Sequence, residues 1–151
     1  MAMVIRTLDE LAAEAERLSA TLAPREGGAT LVTLAGELGA GKTAFTQALA
    51  KALGVTDAIT SPTFVLEKVY ALPHESGSRK PRFERLVHID AYRLESGADL
   101  VPLGFDTLMQ DAGNLVVLEW PERVSEALPG AVARIALQLN ADGSRTLSYG
   151  D

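Results

Sequence analysis

Residues 36–43 have the sequence GELGAGKT, whose residue types and spacing suit the binding of phosphate groups. The pattern fits G-x-x-x-x-G-K-[ST], the phosphate-binding loop (P-loop) of many nucleotidases. Glycines let the backbone approach a phosphate closely, so that successive N–H groups and a helix N-terminus attract the anion. Lys42 would reach the β and γ phosphates, and the Thr43 hydroxyl would help to coordinate Mg²⁺. The predicted nucleotide contacts are Glu37, Leu38, Gly39, Ala40, Gly41, Lys42, Thr43 and Ala44.

The segments on either side of this loop favour a phosphate site over an ordinary glycine-rich turn. Residues 29–35 are uncharged and rich in β-branched side chains, which predicts a buried strand. Residues 44–53 are rich in strong helix formers and precede Gly54, which predicts a helix. Strand, loop and helix in this order bring the backbone N–H groups and the helix N-terminus to one place.

Acidic residues stand at the ends of other predicted strands. Glu119 follows the mostly apolar residues 114–118, and Asp90 closes a strand predicted over 83–90. In P-loop proteins, an acid that ends the strand beside the loop contacts Mg²⁺ or orients the attacking water. The alternative is a strand that ends in a solvated carboxylate. The predicted catalytic residues are Lys42, Asp90 and Glu119, and the predicted metal ligands are Thr43 and Glu119.

The neighbours of these acids have less specific patterns. His88 shares a strand face with Asp90 because strand side chains alternate, and we expect an ordinary buried histidine with satisfied hydrogen bonds. Trp120, the single tryptophan, follows Glu119. It is predicted to be either a core anchor or an exposed surface for stacking or for contact with a partner.

A predicted switch segment lies downstream of the P-loop helix. Ser61 and Thr63 flank Pro62, and their hydroxyls would sense the γ-phosphate and Mg²⁺. An ordinary Ser-Pro turn is the alternative. Residues 73–82 form a basic loop, which is either a solvated loop or a docking patch for an acidic partner or an RNA backbone.

Residues 7–10 have the pattern of a capping box, with Thr7 as N-cap and Glu10 three residues later. Leucine and alanine then recur at helical spacing, which predicts an amphipathic helix that ends before Pro24. The helix is expected to pack on the sheet. A second possibility is that Thr7 and its neighbours border an adenine base.

The patterns together predict one domain, residues 1–151, of the α/β class. We expect a P-loop NTPase-like mixed β-sheet that is flanked by helices and contains antiparallel hairpins. The hairpins are predicted over 64–90 and 131–149. Shorter helices are predicted near 98–101, 105–111 and 121–128.

Composition limits the class of protein. The chain has 151 residues, 47% of them hydrophobic, with a net charge of −6 and no cysteine. Disulfides, thiolate metal sites and cysteine nucleophiles are therefore excluded. No apolar run reaches the length of a transmembrane helix, and a cytoplasmic location is expected. The negative charge should repel free nucleic acid, so any RNA would be served through a partner or a local basic patch.

Several motifs in order resemble those of one bacterial family. They are GELGAGKT at 36–43, SPTF at 61–64, HIDAYRL at 88–94 and EWPE at 119–122. The chain resembles the TsaE (formerly YjeE) family, the ATPases of tRNA threonylcarbamoyladenosine synthesis. The resemblance covers essentially the whole chain and implies Mg²⁺-dependent ATP hydrolysis that supports formation of t6A at adenosine 37 of tRNAs reading ANN codons.

The resemblance also implies partners and residue roles. The partners would be a transferase, TsaD, and its inactive paralogue, TsaB, which the ATP cycle would reset between turnovers. tRNA would be an indirect partner, through that complex. Lys42 and Thr43 would hold phosphates and Mg²⁺, Glu119 would be the acid at the metal or the water, and Asp90 would act near the phosphates. Ser61 to Phe64 would form the switch, and Trp120 belongs to the motif.

Three other functions stay open at this point. A small-molecule P-loop kinase would need an acceptor site, for which only the segment after Arg93 and the basic loop are available. A GTP-driven switch would use an [NT]-K-x-D motif, which the sequence lacks. A non-enzymatic structural domain would not bind nucleotide.

Overall fold

The structure, a computed structural model, describes residues 2–56, 67–73, 83–131 and 133–150. The strands in this part are β1 (Ala2–Ile5), β2 (Thr30–Ala35), β3 (Glu67–Ala71), β4 (Arg85–Asp90), β5 (Asn114–Glu119), β6 (Ala133–Leu139) and β7 (Arg145–Tyr149). The α-helices are α1 (Leu8–Thr21), α2 (Lys42–Ala52) and α3 (Phe105–Met109), and 3₁₀ turns cover Gly97–Leu103, Pro121–Arg123 and Ser125–Ala127.

The described strands form one mixed sheet in the order β1-β7-β6-β2-β5-β4-β3. Strands β6, β2, β5 and β4 are parallel, whereas β1, β7 and β3 run antiparallel to their neighbours. This confirms the predicted α/β mixed sheet and both antiparallel hairpins. Because the carboxyl ends of parallel strands meet at one edge, the segments after β2, β4 and β5 lie side by side.

Helices α1 and α2 cover one face of the sheet. Their buried residues, among them Leu11, Phe45 and Leu49, pack with Leu34 and Val117 of the central strands. The predicted capping box starts α1, since the Thr7 hydroxyl accepts a hydrogen bond from the Glu10 backbone N–H at 3.1 Å. The Glu10 carboxylate in turn accepts from the Thr7 N–H at 3.2 Å.

The opposite face is partly covered by α3 and the 3₁₀ turns. Leu100 and Phe105 pack there against Val87 and Val116 of the sheet, and buried Val124 joins them. The prediction of one helix over 121–128 is wrong, because Val124 turns inward at φ −134° between two short 3₁₀ turns. Burial of Val124 in the core takes precedence over the continuous helix that the local sequence allows.

Strand β1 was not predicted from the sequence. It has only four residues and pairs antiparallel with β7, which lies at the other end of the chain. A pairing this distant leaves no periodic pattern in so short a segment. Its consequence for the site is that the β1–α1 junction lies beside the P-loop.

Candidate nucleotide-binding site

The loop at 36–41 connects the end of β2 to the start of α2. Gly36, Gly39 and Gly41 have φ of 149°, 82° and 107°, values that side-chain-bearing residues rarely adopt. A Cβ on Gly36 would lie 2.4 Å from the Leu137 carbonyl oxygen of β6, so the strand packing also requires glycine. Gly41 is the N-cap of α2, and the helix begins at Lys42, earlier than the predicted residue 44.

The side chains of the loop differ in exposure. Ala40 is buried in the core with α1 and α2, while Leu38 is 67% exposed. Glu37 and Gly39 are also exposed, and Thr43 and Ala44 are half-buried in the first turn of α2. Ala40 anchors the loop in the core. The backbone of residues 37–39, which are exposed, stays accessible.

Lys42 is nearly buried, with 5% exposure. Its Nζ donates hydrogen bonds to the Gly36 carbonyl at 2.5 Å and to the Glu37 carbonyl at 2.8 Å. Burial lowers the pKa of Lys42, and the nearby carboxylates of Glu119, Glu122, Asp90 and Glu37 oppose that change. The lysine thus provides a partly desolvated cation that is held over the loop.

The structure brings both predicted acids to this cation. Asp90 and Glu119 are register partners on the parallel strands β4 and β5, and Glu119 also pairs in register with Leu34 of β2. Glu119 is only 2% exposed. Asp90 accepts a hydrogen bond from the Tyr92 N–H at 3.0 Å; burial raises the pKa of Asp90, and that hydrogen bond opposes the rise. The site therefore holds two carboxylates at the sheet edge that also carries the P-loop.

His88 lies on β4, two residues before Asp90, and is fully buried. Its Nε2 is 2.5 Å from Oε2 of Glu119. Its Nδ1 is buried with no hydrogen-bond partner in the described part of the chain. The expectation of a buried histidine is correct, but the expectation that its hydrogen bonds are all satisfied is wrong, because only Nε2 has a partner.

Trp120 is half-buried and has a left-handed backbone, with φ 62° and ψ 53°. No other non-glycine residue in the described segments has a positive φ. The Trp120 N–H donates to the Leu34 carbonyl at 3.1 Å, so the turn stays bonded to the end of β2. Such strain persists where surrounding contacts fix it, and it often marks functional sites.

The Trp120 ring lies between Lys42 and the exposed side chains of Tyr92 and Arg123. Its centroid lies 4.2 Å from Lys42 Nζ and 4.9 Å from the Tyr92 ring. The Arg123 guanidinium lies 5.4 Å from the Tyr92 centroid and 6.0 Å from that of Trp120. Trp120 therefore lies between core and solvent, neither fully buried nor fully exposed. Its role in contact with a partner stays a prediction.

A cleft of about 180 Å³ opens beside the loop, at the β1–α1 junction. Its lining residues are Ile5, Arg6, Thr7, Leu8, Leu11, Gly41, Ala44 and Arg145. An Arg145 Nη donates to the Gly39 carbonyl at 3.3 Å, so this distant arginine contacts the P-loop. Arg145 was not predicted as a site residue, because a single arginine at the start of a terminal strand carries no recognisable motif.

Some predicted features lie outside the described residues. These are the switch residues Ser61 and Thr63 and residues 74–82 of the basic loop. Within 2–56, 67–73, 83–131 and 133–150, no group of three or more histidine, cysteine or acidic residues is placed to hold a metal ion. In the same residues, no helix is both long and apolar enough to cross a membrane.

Comparison with known proteins gives a consistent match. Residues 5–147 match the family model described as threonylcarbamoyl adenosine biosynthesis protein TsaE. A protein of Treponema pallidum named tRNA threonylcarbamoyladenosine biosynthesis protein TsaE is 40% identical over 119 residues, which are 79% of this chain and 80% of that protein. A protein of the same name from Rickettsia bellii is 32% identical over 143 residues, or 94% of this chain and 89% of that protein.

A solved structure has the same fold. The crystal structure of Bacillus subtilis YdiB superposes with a TM-score of 0.74 at 27% sequence identity. The superposition covers 99% of this chain and 83% of the YdiB chain.

Proposed function

The chain belongs to the TsaE family of threonylcarbamoyl adenosine biosynthesis proteins, and from that premise we propose that it is a Mg²⁺-dependent P-loop ATPase. Its ATP cycle would support formation of t6A at adenosine 37 of tRNAs that read ANN codons. The main support is the placement of Lys42 over the loop with Glu119 and Asp90 at the ends of the adjacent strands.

The phosphates of ATP fit the loop at 36–43. Positive φ at Gly39 and Gly41 gives the loop a tight turn, which would let backbone N–H groups ahead of α2 bind an anion. Lys42 adds a cation, whose burial strengthens its attraction for a phosphate. Lys42 would exchange a carbonyl partner for a phosphate oxygen on binding.

Mg²⁺ fits the donor set of the site, which consists of oxygen atoms. Mg²⁺ prefers hard oxygen ligands and usually takes one or two from protein, with phosphate oxygens and waters as the others. The Thr43 hydroxyl and the Glu119 carboxylate are the proposed protein ligands. When bound, Mg²⁺ would neutralise charge that develops on the phosphates. Asp90 would help to orient the attacking water, because it is the register partner of Glu119 at the same edge of the sheet.

The adenine fits the cleft at the β1–α1 junction. Thr7 and Leu8 line it from one side and Arg145 from the other, directly beside Gly41 of the loop. Arginine stacks well on flat aromatic faces, while leucine offers an apolar wall. This supports the alternative that Thr7 and its neighbours border the base.

We also propose that the output of ATP turnover is a change in binding to the transferase TsaD and its paralogue TsaB, in the cytoplasm. The surface beside the phosphates suits partner contact, because exposed Tyr92 and Arg123 stack with Trp120, which touches Lys42. Aromatic residues and arginine are enriched in such interfaces. The net charge of −6 favours contact with tRNA through the complex rather than directly.

The decisive experiment measures ATP hydrolysis by the purified chain with its two partners. Glu119→Gln should abolish hydrolysis and retain nucleotide binding. Glu16→Gln, a matched change at an exposed position on α1, should hydrolyse ATP like the wild type. Equal hydrolysis by both variants would refute the role of Glu119, and transfer of phosphate to an acceptor other than water would favour the small-molecule kinase.

A further inference from the structure

We infer that His88 is a positioning residue, which orients Glu119 for its contact with the Mg²⁺–nucleotide complex. The inference rests on the proposed function, since it concerns how the same site holds its metal. The two side chains make a short contact, and the second nitrogen of the imidazole has no partner in the described residues.

The sheet geometry explains why these two side chains meet. His88 is the register partner of Val117 on β5, and Glu119 lies two residues further along that strand on the same face. The imidazole therefore reaches diagonally along the sheet to Glu119, with Nε2 and Oε2 2.5 Å apart. Both side chains are buried, at 0% and 3% exposure, so water does not compete for this contact.

The hydrogen-bond roles follow from the chemistry of the pair. The Glu119 carboxylate accepts, so Nε2 of His88 carries the proton and donates it. Nδ1 has no protein partner in the described residues that would anchor the ring from its other side. Glu119 thus holds the ring by its one hydrogen bond, and the ring in turn fixes the rotamer of the carboxylate.

The contact also gives the two carboxylate oxygens of Glu119 different roles. Oε2 is held by His88, and we assign Oε1 to the cation. The protein then positions one oxygen of the carboxylate, and the other would contact Mg²⁺. Hydrogen bonds of this kind to a ligating carboxylate typically change metal affinity or activity by about 10- to 100-fold when removed.

The alternative is that His88 only fills space in the core. A purely structural role predicts that substitutions lower stability and weaken all nucleotide binding together. A positioning role predicts a selective loss, in which the Mg²⁺ dependence changes and Mg²⁺-free binding does not. These two outcomes can be measured separately, because the proposed phosphate contacts of Lys42 and the loop backbone do not require the metal.

The test compares His88→Gln with His88→Asn in the full chain. Both introduce a primary amide, but only glutamine is long enough to place an N–H donor where Nε2 lies, whereas asparagine reaches only the position of Nδ1. ADP affinity is measured as a function of Mg²⁺ concentration, which gives the concentration at which the effect of Mg²⁺ on affinity is half-maximal. ADP affinity in EDTA and the melting temperature are measured for the same proteins.

We expect His88→Asn to raise the half-saturating Mg²⁺ concentration at least about tenfold, and His88→Gln to stay within about threefold of the wild type. ADP affinity in EDTA should be the same for all three proteins. In a Glu119→Gln background, His88→Asn should cause no further change.

Each result against this pattern is decisive. Wild-type Mg²⁺ dependence in His88→Asn would overturn the positioning role alone, and so would equal losses in both variants or a parallel loss of ADP affinity in EDTA. If Mg²⁺ does not enhance ADP binding to the wild type, the proposed metal site fails and this inference fails with it.

Discussion

Removal of the Lys42 ammonium should weaken the binding of nucleoside triphosphate selectively. Nζ donates to the carbonyls of Gly36 and Glu37, and its third side faces the Trp120 ring. A phosphate must therefore replace existing partners, and the net gain is about one charge-assisted hydrogen bond, or about 2 kcal/mol. We expect Lys42→Ala to bind ATP roughly 30-fold more weakly, since each 1.4 kcal/mol is a tenfold change.

Lys51→Ala is the matched control, because it removes the same charge from the other end of α2. Lys51 is exposed in the last turn of that helix. Nine residues separate the two lysines, or about 13 Å along the helix axis. That distance exceeds the screening length of about 8 Å at physiological ionic strength, so Lys51→Ala should bind ATP like the wild type.

Isothermal titration with ATP and AMP would measure these affinities, with circular dichroism to confirm folding. The loss in Lys42→Ala should be large for ATP and small for AMP, because the lysine is assigned to the β and γ phosphates. Equal ATP affinities of Lys42→Ala and Lys51→Ala would refute the assignment of residues 36–43 as the phosphate site. An equal loss for ATP and AMP would refute the placement of the ammonium at the outer phosphates.

Further predictions concern stability in urea denaturation. Gly36→Ala should lower the free energy of unfolding by about 2–3 kcal/mol, because its Cβ would lie 2.4 Å from the Leu137 carbonyl oxygen. Gly39→Ala has nothing within 4 Å of its Cβ, so it should lower the same free energy by only about 1 kcal/mol, through left-handed backbone strain. Equal costs would contradict the steric argument. Tyr149→Phe should cost about 2 kcal/mol, because the hydroxyl donates to the nearly buried Glu14 carboxylate at 2.6 Å. Hydrogen bonding from Arg17 holds the pKa of Glu14 below its usual 4.5. The ionised carboxylate therefore stabilises the fold above pH 4.5, and this contribution is lost as the pH falls further. If the cost of Tyr149→Phe does not shrink on acidification, this account of Glu14 is wrong.

Local sequence was sufficient for features in which neighbouring residues act together. The capping box of α1 depends only on Thr7 and Glu10, which are three residues apart, and the structure contains both of its hydrogen bonds. The P-loop similarly combines a strand, glycines and a helix in one continuous segment. The acid at the end of β5 was predicted because an apolar run that ends in a carboxylate is visible in the sequence.

Features that depend on distant residues were not predictable in this way. Arg145 reaches Gly39 across 106 positions of sequence, and His88 reaches Glu119 across 31. Nothing near either residue indicates its partner, since the pairing follows from strand order and register. For Trp120 the sequence allowed both a core anchor and an exposed surface, since its exposure depends on the packing of α2 and of residues 121–127 around it.

The sequence by itself thus determined the kind of chemistry: a phosphate loop with Lys42 and Thr43 and acids at strand ends, since each is encoded by adjacent residues. Only the tertiary structure decided how these groups work together. The parallel pairing of β2, β5 and β4 brings Glu119 and Asp90 to the loop, and the same register places His88 on Glu119. The physical reason is that strand pairing sets distances between residues far apart in the chain, and it depends on how the whole core packs.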